Sequence, residues 1–419
     1  MSDGYLVKWI TTSKALKSHL VSEMPTSDVL YLSPSDYKNM ECKGRTSDIN
    51  INEVLDVDRI LKNSSRNKEL IYSQSIEVEQ FLRHSNVSLI VGELTWAHEL
   101  LVYRIASKVL AITHVNPHTI RIPDNRIAFF IDEEQSKALA LENGDIIEKI
   151  EPKKPKYLKY NNEKIRAASS ITYRVKRLLT SIVRNRNVDP EDQTKFSSWS
   201  QWFFNRLREG VYRDIYRLLE RSFNANKISE PYILYTLHKQ PEASADVIGS
   251  YFSNQEILIE RLWAALPDGW NLIVKEHSNA IGDRSPLFYI CLKTRPNLYF
   301  EKISTDSYHL IREAKAVFTI SGTSAYESAL MGVPSFTFSN CFFNVHPLCR
   351  RVSIADLKYE GIKSLIGNAL CATTKSSDSL IEWLEKYSMI GEVGDPIRLP
   401  SCIESANIHN IARALKSMA

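Results

Sequence analysis

Short apolar runs alternate with amphipathic stretches over two long parts of the chain. In the first part, β-branched and aromatic residues form short runs at 5–10, 29–32, 70–72, 87–91 and 110–113. Apolar residues at helical spacing lie between several of these runs, as at 76–83 and 97–108. An alternation of strand and helix patterns predicts a parallel sheet that is covered by helices.

The same alternation returns near residue 232. Strands are predicted there at 232–237, 271–275 and 317–320, and helices at 255–266 and 307–314. The intervening segment is basic and then aromatic, and "SSWSQWFFNRLREGVYRDIYRLLERSF" is helical in character. We therefore predict a Rossmann-like domain at 1–150, a basic helical connector at 151–230, a second Rossmann-like domain at 231–400 and a terminal helix at 401–419. Both domains are expected to be doubly wound α/β domains.

Composition and charge narrow the class of protein. The chain has 419 residues, of which 43% are hydrophobic and 24% charged, as in a soluble globular protein. A net charge of +4 is small for this length and gives no argument for a nucleic-acid partner. No run of apolar residues is long enough for a membrane span, and the first residues lack the apolar core of a signal peptide. The six scattered cysteines suit reduced thiols, so we expect a cytoplasmic protein.

One candidate anion site lies in the string "VFTISGTSAYESALMGVPSFTF", which begins at residue 317. A strand, a small-residue turn, a helix and another strand are predicted in turn. A helix N-terminus attracts anions, and the turn adds donors and a flexible glycine through Ser321, Gly322, Thr323 and Ser324. Glu327, one turn into the helix, is placed to accept hydrogen bonds from a ribose. Ordinary helix capping is the alternative explanation.

Two further clusters follow predicted strands of the same domain. "IVKEHSN" places Lys275 and His277 at a strand end, where they can neutralise a phosphate and His277 can assist its departure. "YTLHKQPEAS" places His238 and Glu242 on either side of Pro241, in the first loop of the domain. A surface lysine with a loop histidine, and a simple helix start, are the respective alternatives. In a doubly wound sheet, all three clusters lie at the edge where ligands bind.

These strings resemble bacterial capsule and surface polysaccharide biosynthesis proteins. "HKQPEAS", "VKEH", "GDR" and the serine-containing stretch carry the likeness in the second half, and "GELTWAHELLVYRIA" and "RIPDNRIAFFIDE" carry it in the first. The resemblance implies a GT-B glycosyltransferase, in which two Rossmann-like domains face each other across a cleft. It also implies that the second domain binds the nucleotide-sugar donor and the first the acceptor. Related sialyl- and Kdo-transferase-like enzymes contact the CMP phosphate with a His-Pro pair, whereas here Ser278 follows His277.

An acceptor-activating base is expected from the first domain. Glu93 follows the strand predicted at 87–91 and is the first candidate, with His98 and Glu99 as alternatives. Capping of the next helix is the competing role of Glu93. Metal dependence is not indicated, because the "DVD" at 56–58 lies in a helical pattern in which its aspartates diverge. Cys341, His346 and Cys349 lack a fourth ligand at zinc-finger spacing.

The sequence thus predicts a metal-independent glycosyltransferase that needs no cofactor. Its expected partners are a nucleotide sugar, with a CMP-activated ulosonic acid favoured, and a glycan or lipid-linked acceptor. The connector, with its basic residues and the aromatic residues Trp199, Trp202, Phe203 and Phe204, suits the surface of an inner membrane. The alternatives are a UDP-sugar transferase or a nucleotide-sugar epimerase on the same fold, and a non-catalytic capsule assembly factor.

Overall fold

The computed structural model describes most of the chain. Its described residues are 5–33, 49–58, 61, 66–141, 146–147, 150, 180, 199–223, 229–240, 242–359, 361–372, 379–397 and 399–419. The chain divides into two compact units, Met1–Val115 with Ala167–Leu207 and Asn116–Arg166 with Arg208–Ala419. This division falls before the boundary that we predict at residue 150. The basic run of the predicted connector, from Lys153 to Arg186, lies outside the described residues except for Thr180.

The first unit contains two strand–helix–strand motifs. Strand β1 (Trp9–Thr11), helix α1 (Lys14–Glu23) and strand β2 (Val29–Tyr31) form one, and the two strands pair in parallel. Helices α2 (Ile51–Asp56) and α3 (Arg66–Ser85) follow. Strand β3 (Leu89–Val91), helix α4 (Ala97–Arg104) and strand β4 (Thr113–Thr119) form the second motif, with β3 and β4 parallel. A π-helical turn, Ile105–Val109, continues α4.

One strand predicted in this unit is wrong. Residues 70–72 lie inside helix α3, where Ile71 is fully buried. A short apolar run fits a buried helix face as well as it fits a buried strand, and here the longer helical pattern around it prevails.

Strand β4 runs on into the second unit, where it meets an antiparallel partner. Residues 116–119 pair with β5 (Arg126–Phe130), which is completely buried. The third strand of this antiparallel group is β12 (Ser388–Ile390), which comes from near the end of the chain. Arg126 donates to the Ser388 hydroxyl and carbonyl, at 2.9 and 2.8 Å. The segment before residue 150 therefore belongs partly to the fold of the second unit.

A long helix, α5 (Trp199–Glu220), leads into the main sheet of the second unit. The strands of that sheet are β6 (Tyr232–Thr236), β7 (Asn271–Lys275), β8 (Leu298–Glu301), β9 (Ala316–Thr319), β10 (Ser335–Thr337) and β11 (Cys349–Arg351). Their order is β11-β10-β9-β6-β7-β8, and every neighbouring pair is parallel. Successive strands add first to one side of β6 and then to the other. This is the strand order of a Rossmann fold, so the predicted α/β class is confirmed.

Helices connect the strands of the sheet and are capped by side chains in several places. They are α6 (Ala243–Asp246), α7 (Gln255–Ala264), α8 (Pro286–Lys293), α9 (Ser307–Glu313) and α10 (Thr323–Leu330), followed by α11 (Gly361–Ala372), α12 (Ser379–Tyr387) and α13 (Ser405–Met418). Asn254, Ser285 and Asp306 accept backbone N–H groups at the starts of α7, α8 and α9. Strands β7, β9 and β10 are buried along their whole length, because helices cover both faces of the sheet. None of the helices in the described ranges has the length and apolar character to cross a bilayer.

Candidate functional site

The strand order places a topological switch point between β6 and β9. The chain leaves β6 towards β7 on one side and later returns to pair β9 on the other. In doubly wound sheets, ligands bind beyond the carboxyl ends of the strands at such a point. Thr236 ends β6, and its hydroxyl lies 2.6 Å from the Ser324 hydroxyl at the start of the helix that follows β9. The predicted anion site therefore lies at the switch point.

Helix α10 presents its N-terminus at this point. Gly322 occupies the N-cap position and has no side chain with which to cap the first N–H groups. A Cβ atom at Gly322 would lie 2.7 Å from Thr319 Oγ1 and 3.3 Å from two atoms of the His238 ring. Glycine is thus required by close packing, since its φ of −73° is one that any residue adopts. The uncapped N–H groups and the helix dipole make this N-terminus suitable for a phosphate.

The three hydroxyl side chains of the turn have different roles. Ser321 donates its hydroxyl to the Ser244 carbonyl at 2.7 Å, and Ser324 contacts Thr236. The Thr323 hydroxyl makes no hydrogen bond to any residue that the structure describes. Two of the three hydroxyls that we predict to bind phosphate therefore hold the turn, and Thr323 is the one whose hydroxyl has no partner among the described residues.

His238 is a buried junction between the β6 and β9 loops. Its Nε2 accepts the Ser321 N–H at 3.2 Å and lies 3.0 Å from Thr319 Oγ1, while Nδ1 lies 3.4 Å from the Ser244 hydroxyl. Burial, together with the charges of His277 and Arg284, lowers the pKa of His238 to about 3. A ring that is neutral and bonded at both nitrogens is a poor proton donor. The structure gives His238 the task of positioning Ser321.

His277 lies at the edge of the site and is only partly buried. Its Nδ1 accepts the Asn279 N–H at 3.2 Å, so a neutral ring carries its proton on Nε2. Burial is the main reason why the pKa of His277 is lowered; Lys239 and Arg121 lower it further, whereas Glu242 and Glu276 raise it. His277 is thus a neutral donor near pH 7, surrounded by two cations and two carboxylates.

Glu242 lies on the His277 side of the site. It occupies the N-cap position of α6, and its N–H donates to Asp246 at 2.8 Å. Its carboxylate is close enough to raise the pKa of His277. The third sequence cluster is therefore next to the second, as the sheet-edge argument predicts.

Lys275 does not face the switch point with a free ammonium group. Its Nζ donates to the carbonyls of Lys302, Ile303 and Thr305, at 3.0, 3.2 and 2.8 Å. An ammonium group has three N–H donors, and all three are used within the protein. Burial lowers the pKa of Lys275 to about 8, and nearby acids such as Glu301 oppose that effect. Lys275 was expected to contact a phosphate, whereas in the structure its ammonium group holds the loop after β8.

Glu327 is a buried carboxylate near the start of α10. Its side chain is on α10, 7% of the residue is exposed, and no hydrogen bond is made to it within the described residues. Burial raises the pKa of Glu327 to about 7, and only the positive charge of Arg121 opposes this. A buried carboxylate without donors is costly unless a ligand supplies them. Two hydroxyl groups of a ribose are suitable donors.

A buried ion pair beneath the site was not anticipated from the sequence. Glu276, which directly precedes His277, accepts Arg284 Nε at 2.9 Å and the Tyr289 hydroxyl at 2.5 Å. Its other oxygen accepts the His277 N–H at 2.6 Å. Glu276 stands in the "VKEH" string and Arg284 in the "GDR" string, but nothing in either string indicated that the two charges would meet.

In the first unit, the expected base is exposed. Glu93 follows β3, as predicted, but its side chain is open to solvent and no described residue bonds to it. Glu99, one of the two alternatives, accepts the N–H groups of Thr95 and Trp96 at 2.8 and 3.0 Å. Burial raises the pKa of Glu99 to about 7, and the charges of Glu93 and Asp58 add to this. Burial thus holds the pKa of Glu99 near neutral pH, and Glu93 raises that pKa further through its charge.

Two of the remaining candidates, Asp58 and Cys349, make hydrogen bonds within the protein. His98 is partly buried on α4. Asp58, of the "DVD" string, accepts the N–H groups of Leu61 and Ala97 at 2.8 and 3.1 Å. Cys349 accepts a hydrogen bond from Asn344 at 3.5 Å. Among the described residues, no group of His, Cys, Asp and Glu side chains is arranged to hold a metal ion.

Comparisons with known proteins give distant structural similarities. No protein-family model and no curated protein sequence matches the chain. Two solved structures from Thermosulfurimonas dismutans are similar: KpsC, beta Kdo 2,7 transferase (12% identity, 87% of this chain, 90% of that chain, TM-score 0.36) and KpsC, beta Kdo 2,4 transferase (9%, 88%, 92%, 0.38). A UDP-GlcNAc 2-epimerase from Methanocaldococcus jannaschii is similar over 87% of this chain and 91% of its own (15% identity, TM-score 0.27). The TM-scores are low, so the fold assignment depends on the strand order described above.

Proposed function

We propose that this protein is a GT-B glycosyltransferase of bacterial surface polysaccharide synthesis. Its donor is a nucleotide sugar, and a CMP-activated ulosonic acid is the favoured one. The observation that carries the proposal is the uncapped N-terminus of α10 at the switch point of a Rossmann strand order. This is where such folds bind the phosphate of a nucleotide. The "HKQPEAS", "VKEH" and "GDR" strings and the serine-containing stretch, which resemble capsule biosynthesis proteins, lie around the same point of the second unit.

The donor contacts follow from which groups are still free. The phosphate lies against the N–H groups at Gly322 and the Thr323 hydroxyl, because Ser321 and Ser324 are already bonded within the protein. Glu327 accepts hydrogen bonds from the ribose hydroxyls. Binding of the ribose thereby supplies the donors that this buried carboxylate lacks.

His277 supports departure of the phosphate as a neutral hydrogen-bond donor. Its Nδ1 accepts the Asn279 N–H, so Nε2–H is the group left to donate to a ligand. A hydrogen bond to a charged group contributes about 1.5–3 kcal/mol. We therefore expect His277→Ala to lower kcat by roughly 10- to 150-fold, in a variant that folds normally and still binds nucleotide.

The charges around His277 support a donor with two anionic groups. Lys239 and Arg121 both lie close enough to lower the pKa of His277. A CMP-activated ulosonic acid carries one phosphate, and it also carries a carboxylate on the carbon where transfer occurs. The N-terminus of α10 suits the first anion, and the two cations suit the second. A UDP-sugar, by contrast, places both of its charges on adjacent phosphates.

The acceptor is assigned to the first unit, and Glu99 is the proposed base. A general base works best when its pKa is near the working pH, and burial gives Glu99 a pKa of about 7. Glu93 stays in the proposal as a charge that helps to hold the pKa of Glu99 high. The acceptor is a glycan or a lipid-linked glycan, as the resemblance implies.

A ligand panel tests the proposal directly. CMP, UDP and GDP are added to the purified full chain, and the melting temperature is recorded. CMP-ulosonic acids are then incubated with it, and free CMP and product masses are measured. Stabilisation by CMP together with glycan-dependent release of CMP supports the proposal. Stabilisation by UDP alone with an isomeric sugar product identifies an epimerase, and no response to any nucleotide favours a non-catalytic assembly factor.

We also propose that the protein is cytoplasmic and touches the inner membrane through α5. Four large apolar side chains on this helix are exposed: Phe204 by 67%, Leu207 by 54%, Val211 by 48% and Leu218 by 59%. Exposed arginines on the same helix and just after it, Arg206, Arg208 and Arg221, suit acidic lipid headgroups. Pelleting with acidic liposomes at low salt, and its loss in Phe204→Ser/Leu207→Ser, is the expected result. Equal pelleting of the variant would contradict this contact.

A further inference from the structure

The buried pair Glu276 and Arg284 contacts both the segment that carries His277 and the segment that carries His238. The Glu276 side chain is 1% exposed and that of Arg284 11%. A buried ion pair is weak evidence for stability, since the cost of removing two charges from water often exceeds their attraction. The contacts of this pair indicate another role, because each partner also holds a separate segment of the site.

Glu276 holds the His277 segment. One carboxylate oxygen accepts the His277 N–H at 2.6 Å, and the other accepts Arg284 Nε and the Tyr289 hydroxyl. The backbone at His277 is thus fixed by a side chain that is itself fixed by two donors. The His277 ring, which leaves the strand end at this point, receives its direction from that backbone.

Arg284 holds the His238 segment. Its Nη2 donates to the His238 carbonyl, and Nη1 donates to Gln240 Oε1 at 3.3 Å. Gln255 also holds the backbone of His238, because it accepts the His238 N–H at 2.7 Å and donates to the His238 carbonyl at 3.1 Å. The His238 ring then accepts the Ser321 N–H, next to Gly322. One guanidinium is therefore connected, through His238, to the turn before α10.

Contacts with α5 hold the turn that carries Arg284 in one conformation. Gly282 has a φ of +94°, a conformation that side chains disfavour. A Cβ atom there would lie 2.5 Å from the Glu209 carbonyl of α5. Arg213 of α5 donates to the Ile281 carbonyl at 3.3 Å, and the Phe288 ring lies 5.5 Å from the Arg284 guanidinium. Arg284 is thus held in direction before any ligand binds.

We propose that Glu276 and Arg284 are positioning residues that fix the His277 segment and the His238–Ser321 contact in a single arrangement. Neither touches the donor in this scheme. Their pairing joins the carboxyl ends of β6, β7 and β9, so a ligand meets the neutral donor of His277 and the N-terminus of α10 at a set separation. The inference rests on the proposed function for its kinetic part only.

Glu276 also acts on His277 through its charge, which raises the pKa of His277. The charged groups that act on the His277 ring are Glu242 at the start of α6, Glu276, Lys239 after β6 and Arg121 after β4. Removing the negative charge of Glu276 destabilises an imidazolium at His277. Glu276→Gln is therefore expected to move the titration of His277 to lower pH.

Nuclear magnetic resonance on the full chain tests the roles of Glu276 and of Arg284 without any need for activity. Histidine-labelled protein is titrated in its wild-type form, as Glu276→Gln and as the control Glu382→Gln, which removes an exposed carboxylate on α12. The His277 signal is assigned by its absence in His277→Asn. We expect a lower titration midpoint in Glu276→Gln alone. An unchanged midpoint in folded Glu276→Gln would overturn the inference for Glu276.

The second comparison concerns Arg284→Lys. Lysine keeps the charge but cannot reach Glu276, Gln240 and the His238 carbonyl together. The matched control is Arg295→Lys, because Arg295 also pairs with a carboxylate, Glu260, and also lies over an aromatic ring, that of Trp263. Backbone amide signals of Ser321, Gly322 and Thr323 are expected to shift in Arg284→Lys and to stay in place in Arg295→Lys.

The kinetic arm separates this inference from the proposed function. With a CMP-sugar donor, kcat is expected to fall by about 100-fold in Arg284→Lys, the usual effect of a small misplacement, with little change in KM and none in the control. If the wild type shows no turnover, the proposed function fails, and the amide signals still decide the positioning role. Unmoved amide signals in a folded Arg284→Lys would overturn that role. If Arg284→Lys does not fold, Glu276→Gln/Arg284→Met removes both charges together and is held to the same amide criterion.

Discussion

Glu327→Gln should stabilise the protein at neutral and alkaline pH while weakening nucleotide binding. Burial raises the pKa of Glu327 from an ordinary value of 4.5 to about 7 in the folded chain. The folded state therefore binds more protons than the unfolded state between these two values. Stability falls with rising pH wherever the folded state binds more protons, so the wild type loses stability over this window.

The magnitude follows from the width of the window. A difference of about 2.5 pH units, at about 1.36 kcal/mol for each, corresponds to about 3 kcal/mol. Glutamine has no proton to lose and avoids this cost. The stability difference between Glu327→Gln and the wild type should therefore be near zero below pH 4.5, grow through the window, and reach up to about 3 kcal/mol in favour of the variant above pH 7.

Urea unfolding followed by tryptophan fluorescence at several pH values measures this difference. Glu313→Gln, which changes an exposed carboxylate on α9, is the matched control and should show no such trend. CMP titrations of the same proteins should show weaker binding by Glu327→Gln, because a neutral amide accepts the ribose hydrogen bonds less strongly than a carboxylate. A stability difference that does not change with pH would refute the account of burial. Unchanged CMP affinity would refute the ribose contact.

Three further predictions concern single contacts. Gly322→Ala should lower stability by about 1–3 kcal/mol and reduce CMP binding, because the new methyl group would overlap Thr319 and press on His238; melting curves and CMP titration check this. Lys275→Met should lower the melting temperature, because it leaves three carbonyls without donors. The CMP affinity of the folded variant should stay within a few-fold of the wild type. A loss of CMP affinity without a loss of stability would instead support a contact between Lys275 and the phosphate. Glu99→Gln should abolish most transfer without loss of donor binding, whereas Glu93→Gln should shift the acid limb of the pH profile to lower pH, since one repelling charge is gone.

Local patterns predicted four of the six strands of the main sheet, namely β6, β7, β9 and β10, and missed β8 and β11. The strand at 271–275 is found at those residues, and the strand–turn–helix–strand order around Ser321 is found within one or two residues at each end. Continuous apolar runs bounded by turn residues are a strong signal for the buried strands of a parallel sheet. The polar clusters were predicted at the strand ends, whereas the strand order that makes β6 and β9 the switch point came from the structure.

Contacts between distant parts of the chain were beyond the reach of such patterns. The pairing of β5 with β12 joins residues about 260 positions apart, and no local signal marks it. For the same reason, the sequence indicated the residue types of the site but not their partners. Lys275 was expected to hold a phosphate and instead holds three carbonyls, since a lysine at a strand end has the same appearance in either case.

The site divides into groups that the protein has already used and groups that are left for a ligand. The side chains of His238, Ser321, Ser324, Lys275, Glu276 and Arg284 are all bonded within the protein. The N-terminus of α10, the Thr323 hydroxyl, Nε2–H of His277 and the carboxylate of Glu327 are not used in this way. The first three of these groups donate hydrogen bonds and suit an anion, and the fourth, the carboxylate of Glu327, accepts hydrogen bonds. A nucleotide offers the matching set, a phosphate beside a ribose diol, and an uncharged sugar alone would leave the helix N-terminus without its anion. The pattern of unused groups, more than any one residue, therefore supports our proposal that this site binds a nucleotide.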